Sequence, residues 1–153
     1  MRFAILACAA LVACSGDDGD GGAQATSAIA ALGAGTVTGT ATFTQSGTDV
    51  TVSITLNNCV TGKAYGTHIH TGSACTDNTT QGGHWDMTRG EGIPSITCSG
   101  TSGTSMLTRA NTDATTMWTL GDGSATDVIG HVIVVHDPDV PMTRIACGPI
   151  VAK

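Results

Sequence analysis

The sequence predicts an all-β domain, a β-sandwich or flattened barrel of seven to eight short strands. Three observations carry that prediction. Charged residues make up 12% and aromatics 3% of the 153 residues, while threonine is abundant and there are 21 glycines. Such a β-branched, turn-rich composition disfavours long helices. Apolar and polar residues alternate over short runs, and no stretch shows a useful helical period. The remaining length, about 115 residues once a leader and tether are set aside, suits one core of ordinary size.

The N-terminus reads as an export signal. Arg2 supplies one positive charge, and Phe3 to Val12 is an apolar run too short to span a bilayer. Leu11-Val12-Ala13-Cys14 is similar to the lipobox of bacterial lipoproteins, which implies cleavage after residue 13 and lipidation of Cys14. Residues 14–34 are then expected to be a flexible acidic tether, built around Gly16-Asp17-Asp18-Gly19-Asp20-Gly21-Gly22. Ala28 to Leu32 is expected to form a turn of helix or to continue the tether, so the folded domain is expected over 35–153. An exported protein anchored to a membrane through Cys14, periplasmic or at the cell surface, follows from this reading. A formal charge of −6 without any basic cluster argues against nucleic-acid partners. Oligomeric state is not legible.

Within the domain, Thr36 to Phe43 alternates small or apolar with polar residues, and Gln45 to Thr48 reads as a turn. Asp49 to Leu56 alternates more cleanly, with Val50, Val52, Ile54 and Leu56 against Thr51, Ser53 and Thr55. The two form a hairpin. Tyr65 to His70 is a further strand, followed by polar loop from Thr71 to Thr80. Ile96 to Cys98, Met106 to Arg109 and Thr115 to Leu120 are short strand candidates, with Ser99 to Ser105 a turn between the first two. Val132 to His136 is the most hydrophobic strand, bounded by Gly130 and by Asp137-Pro138-Asp139. Thr143 to Ile150 is the last.

The candidate chemistry lies in the histidines. His68 and His70 stand two apart on a strand, so both side chains share a face with Cα atoms about 6.6 Å apart. Aimed at one metal, that spacing requires extended backbone, because a helix would throw the rings to nearly opposite sides. Taken alone the pair is equally compatible with two surface histidines. Cys59, Cys75, Cys98 and Cys147 remain after the leader and Cys14, an even number that suggests two disulfides with three possible pairings.

Several blocks then resemble the copper/zinc superoxide dismutases: Val37-x-Gly39-x-x-x-Phe43, Gly66-Thr67-His68-Ile69-His70, Gly82-Gly83-His84-Trp85, Ile129 to His136, and Arg144-Ile145-Ala146-Cys147-Gly148. They occur in the family's order. The resemblance implies a Greek-key, immunoglobulin-like sandwich and dismutation of superoxide to O2 and hydrogen peroxide. It implies copper held by His68, His70, His84 and His136, with His84 in the place of the ring that bridges copper and zinc. Arg144 matches the arginine that meets the superoxide anion, and with His84 is the candidate catalytic residue. Cys75 and Cys147 match the family's disulfide, which leaves Cys59 with Cys98. Four neutral imidazoles suit Cu(II), and a guanidinium suits a small dioxygen anion.

Two departures shape the expectation. After His84 the run Trp85 to Ile96 holds no histidine, so the family's zinc ligands are missing and zinc is not expected. Only Asp137 to Thr143 connects His136 to Arg144, where the family has a long charged loop. Both departures resemble the copper-only members. Asp86 or Glu91 is expected to orient His84 in place of zinc. His131, five positions before His136, is read as a surface or structurally satisfied histidine, and Trp85 and Trp118 as packing residues. The non-enzymatic alternative is a copper-buffering lipoprotein with the same ligands and little turnover.

Overall fold

The computed structural model describes residues 22–86, 92–110 and 117–153. The leader, Cys14 and the first part of the tether, up to residue 21, lie outside these residues, as do Glu91 and the first part of the Thr115–Leu120 strand candidate. Ten strands and one helical turn are present among the described residues: β1 (Gln24–Ala31), β2 (Thr38–Ser46), β3 (Asp49–Asn57), β4 (Ala64–Tyr65), β5 (Thr67–His70), α1 (Asn78–Gln81), β6 (Ile96–Thr97), β7 (Ser102–Arg109), β8 (Val132–His136), β9 (Arg144–Pro149) and β10 (Val151–Ala152). The main sheet runs β5-β8-β9-β1-β2-β3-β7, with β10 also paired to β1, and β4 pairs with β6. Every strand pairing in these sheets is antiparallel, and the sheet curls into the half-barrel expected of the predicted class.

The alternation in the sequence is the alternation of burial. Val50, Val52, Ile54 and Leu56 on β3 are all fully buried with Ala41 and Phe43 of β2. Thr51, Thr55 and Ser53 point away from that core. Ser46 pairs with Asp49 across a two-residue turn whose Gly47 has φ 58°, a conformation that matches the twist of a tight hairpin and favours glycine.

The expected domain boundary needs correction. β1 begins at Gln24, well before Gly35, and lies between β2 and β9 in the sheet. Ala25, Ser27 and Ile29 are buried in alternation along it. Alanine has low strand propensity, but pairing on both edges overrides a weak local preference. Two smaller corrections concern the middle of the chain. β7 starts at Ser102, so the expected Ser99–Ser105 turn ends early. Trp118 to Leu120 is not a strand, although Thr119 makes an isolated bridge with Asp127.

β8 is buried on both faces. Ile133 and Val135 join the main core, whereas Val132 and Val134 form a small second cluster with Cys147, Leu32 and Cys75. This second, outer face is where the histidines emerge. His68 pairs with Val134 and His70 with Val132, so both rings stand on the outer face, while Ile69 opposite Ile133 fills the core.

Candidate metal centre

The segment after β5 leaves the sheet and returns to it. The Thr71 N–H donates to the Gly83 carbonyl at 2.8 Å and the Trp85 N–H to the Ile69 carbonyl at 2.7 Å. His84 is thereby bridged to His70. Between them, α1 is a single turn closed by a capping box, in which Asp77 accepts from the Thr80 N–H and Thr80 Oγ1 accepts from the Asp77 N–H. Gly82 ends the turn at φ +70°, and a Cβ there would lie 2.2 Å from Thr71 Oγ1. The sequence reading of this segment as plain polar loop missed that turn, which is too short to show a helical period.

On the other side, β8 and β9 slip register between Val135 and His136. Val135 pairs with Ala146 but His136 pairs with Arg144. Ile145 is the extra residue of a bulge, the usual way a strand re-aims a side chain near a site. In regular register His136 would face Ile145. The bulge sets the fourth histidine beside the arginine.

His70, His84 and His136 converge: one ring nitrogen from each lies within 4.8 Å of the others. His70 Nε2 is 3.3 Å from His136 Nε2, and His84 Nε2 is 3.4 Å from the same atom. Imidazole nitrogens held by one ion at about 2.0–2.1 Å lie about 2.8–3.4 Å apart for angles between square and tetrahedral. The donor set therefore fits a metal ion of the imidazole-preferring kind. His70 Nδ1 lies 3.0 Å from the Gly82 carbonyl. That contact assigns the proton to Nδ1 and leaves Nε2 facing the other rings.

His68 stands beside this trio and outside it. Its ring stacks on His84 at 4.2 Å, and its Nδ1 is 3.5 Å from Asp86 Oδ2. Asp86 is completely buried, and neither carboxylate oxygen has a hydrogen bond. The carboxylate expected to orient His84 thus sits nearest His68. A buried carboxyl group without a hydrogen bond stands where an added cation would be stabilised.

Arg144 Nη2 donates to the same Gly82 carbonyl at 2.7 Å. One oxygen therefore locks both a converging histidine and the guanidinium. Arg144, His68, His84 and His136 line a single cavity of about 550 Å³, together with Asp137 and Met142. His131 lies away from this cavity, with its ring 4.7 Å from Trp85. Trp85 and Trp118 are buried in the core. The cysteines are bonded as Cys75–Cys147 and Cys59–Cys98.

Burial disfavours the charged forms of His70, His84 and His136. It pushes the pKa of His70 down to about 4, against the Gly82 hydrogen bond, and that of His136 likewise to about 4. His84 is also lowered, by burial first and then by His68, with Asp86 opposing. Unfolded, each would titrate near 6.5. Between these values the unfolded chain binds more protons, so stability rises with pH. For His70 and His136 the contribution is complete above about pH 6.5 and is lost as pH falls through about 4. The metal-free protein is expected to lose stability as pH falls across that window. Urea midpoints at pH 7, 5.5 and 4 measure it, and a flat series would contradict it.

A curled antiparallel barrel carrying clustered imidazoles and an adjoining arginine in one cavity defines a class of metal-dependent enzymes acting on small anions. The family model described as copper/zinc superoxide dismutase matches residues 37–150, and the chain belongs to that family. It is a copper-dependent superoxide dismutase, with superoxide as substrate. In three dimensions it is similar to superoxide dismutase 5 of Candida albicans, solved as a point mutant, with a TM-score of 0.63 and 18% identity over 85% of this chain and 92% of that one. No curated protein matches the sequence.

Proposed function

We propose that this is a copper-only dismutase, exported and lipid-anchored through Cys14, with copper held by His68, His70, His84 and His136 and superoxide held by Arg144. The observation that carries the reading is the shared cavity: three of the four imidazoles line it together with the guanidinium. A copper store has no use for an anion-binding group beside its ligands. Copper, when bound, supplies a one-electron couple, and the net reaction turns two superoxide ions and two protons into O2 and hydrogen peroxide. Arg144 presents its free N–H groups to the anion and offsets its charge. His84, exposed where His70 and His136 are buried, is the imidazole that can take a proton from solvent and pass it on through its ring nitrogen.

Absence of zinc is supported by the histidine inventory. Of five histidines, four are assigned to copper and His131 packs on Trp85. Export is supported by the two disulfides, which persist in oxidising compartments. Anchoring through residues 1–14 rests on the sequence motif alone.

The test is to load the disulfide-intact protein with copper and zinc, count bound metals and assay superoxide removal. One copper and no stoichiometric zinc are expected. Arg144→Ala should keep its copper and lose activity by roughly 10- to 100-fold, the scale of one charge-assisted contact. Activity that requires zinc would overturn the copper-only reading. Bound copper without turnover in the unmodified protein would favour buffering.

A further inference from the structure

A guanidinium carries five N–H donors in one rigid plane. In Arg144 three hydrogen bonds are already made, all to the turn that closes α1. Nη1 donates to the Asn78 carbonyl at 2.9 Å and to Gln81 Oε1 at 3.1 Å, and Nη2 donates to the Gly82 carbonyl at 2.7 Å. The Nε–H and one Nη2–H are left for a ligand. Two of the three acceptors are backbone carbonyls, and Gln81 is the only side chain among them.

Gln81 is 1% exposed, an unusual place for a glutamine. The turn does not need its side chain. α1 is closed by its own capping box and by Gly82, the Gln81 backbone bonds to Asp77 and Gly72, and Cys75–Cys147 ties the segment to β9. What the buried amide adds is an acceptor for Nη1 that carries no charge.

We infer that Gln81 is a positioning residue of this dismutase, one that fixes the Arg144 guanidinium at the cavity through a neutral acceptor and so holds it without cancelling its charge. A glutamate of the same length would satisfy the same N–H but neutralise the guanidinium, and the anion would lose its attraction. A methionine would fill the space without a strong acceptor, and the plane would be free to swing. The inference rests on the reading of Arg144 as the anion-holding group.

The experiment uses the copper-loaded protein and azide as a small anionic probe, titrated optically, with copper affinity measured alongside. Gln81→Met is expected to weaken azide binding roughly 3- to 10-fold, the equivalent of one hydrogen bond. Gln81→Glu, which keeps shape and acceptor, should weaken it about 10-fold or more and flatten its dependence on ionic strength. Copper affinity should stay within about twofold in both, because His70 keeps its Gly82 partner. Azide binding unchanged in Gln81→Met, while Arg144→Ala weakens it, would overturn the inference and leave the Arg144 reading intact. No effect of Arg144→Ala would remove that reading, and the inference with it. A parallel loss of copper and azide in Gln81→Met would show that Gln81 merely holds the turn, and wild-type behaviour of Gln81→Glu would refute the role of its neutrality.

Discussion

Replacing His136 with alanine is expected to leave the protein unable to retain copper at micromolar chelator and to reduce dismutation to background. His136 is the hub of the converging rings, with its Nε2 at 3.3 Å from His70 and 3.4 Å from His84. Four-ligand zinc sites have apparent binding free energies of about 10–16 kcal/mol. By that scale, one imidazole is worth about 3 kcal/mol, or roughly 100-fold in affinity. The pH dependence of the metal-free protein should shrink at the same time, because one of the two imidazoles held near about 4 is gone. His131→Ala is the control. Its ring packs on Trp85, outside the trio, so stability can fall while copper stoichiometry stays at one. Copper competition and superoxide assays decide the matter, and a His136→Ala protein that holds copper and turns over would remove His136 from the ligand set.

Much of this site was legible before any coordinates, for a reason that can be stated. Parity on a strand is strict, so His68 and His70 had to share a face and Ile69 had to take the other, which is how they stand against Val134, Val132 and Ile133. The alternation of Asp49 to Leu56 and the apolar run of Val132 to Val135 were equally direct, since both report burial. β1 was hidden because Ala28, Ala30 and Ala31 carry no strand signal of their own, and their pairing with β2 and β9 is a tertiary fact. The bulge at Ile145 was hidden because one inserted residue leaves no mark on composition or period. Without it Arg144 would not stand across from His136. Asp86 was expected to orient His84, but the ring it stands nearest is His68, and Glu91 lies outside the described residues. His68 Nδ1 lies against Asp86 at 3.5 Å, a neighbour that strand parity alone could not name. Gln81 gave no signal at all, for a glutamine in a polar run reads as surface until its burial is seen.

Removing the disulfides one at a time should separate stability from function. The chain-entropy cost depends on the logarithm of the loop, and the two loops span 72 residues for Cys75–Cys147 and 39 for Cys59–Cys98. Each is therefore worth about 4 kcal/mol, with a difference of only about 0.5 kcal/mol between them. Replacing either pair by serine should lower the urea midpoint by similar amounts. The site should respond to only one. Cys75–Cys147 ties the segment of α1 to β9, three residues from Arg144, and the guanidinium's acceptors Asn78, Gln81 and Gly82 all lie on that segment. Gly82 also holds His70, so loosening the segment should weaken copper and anion binding together. Cys59–Cys98 instead joins the loop before β4 to the residue after β6, where Gly62 and Lys63 already bond to Cys98 through the backbone. Its loss leaves the segment and β9 untouched. Azide and copper titrations of the two double-serine variants, run where both remain folded, should show an effect in the first and none in the second. Equal effects would mean that stability, rather than this particular tether, governs the site.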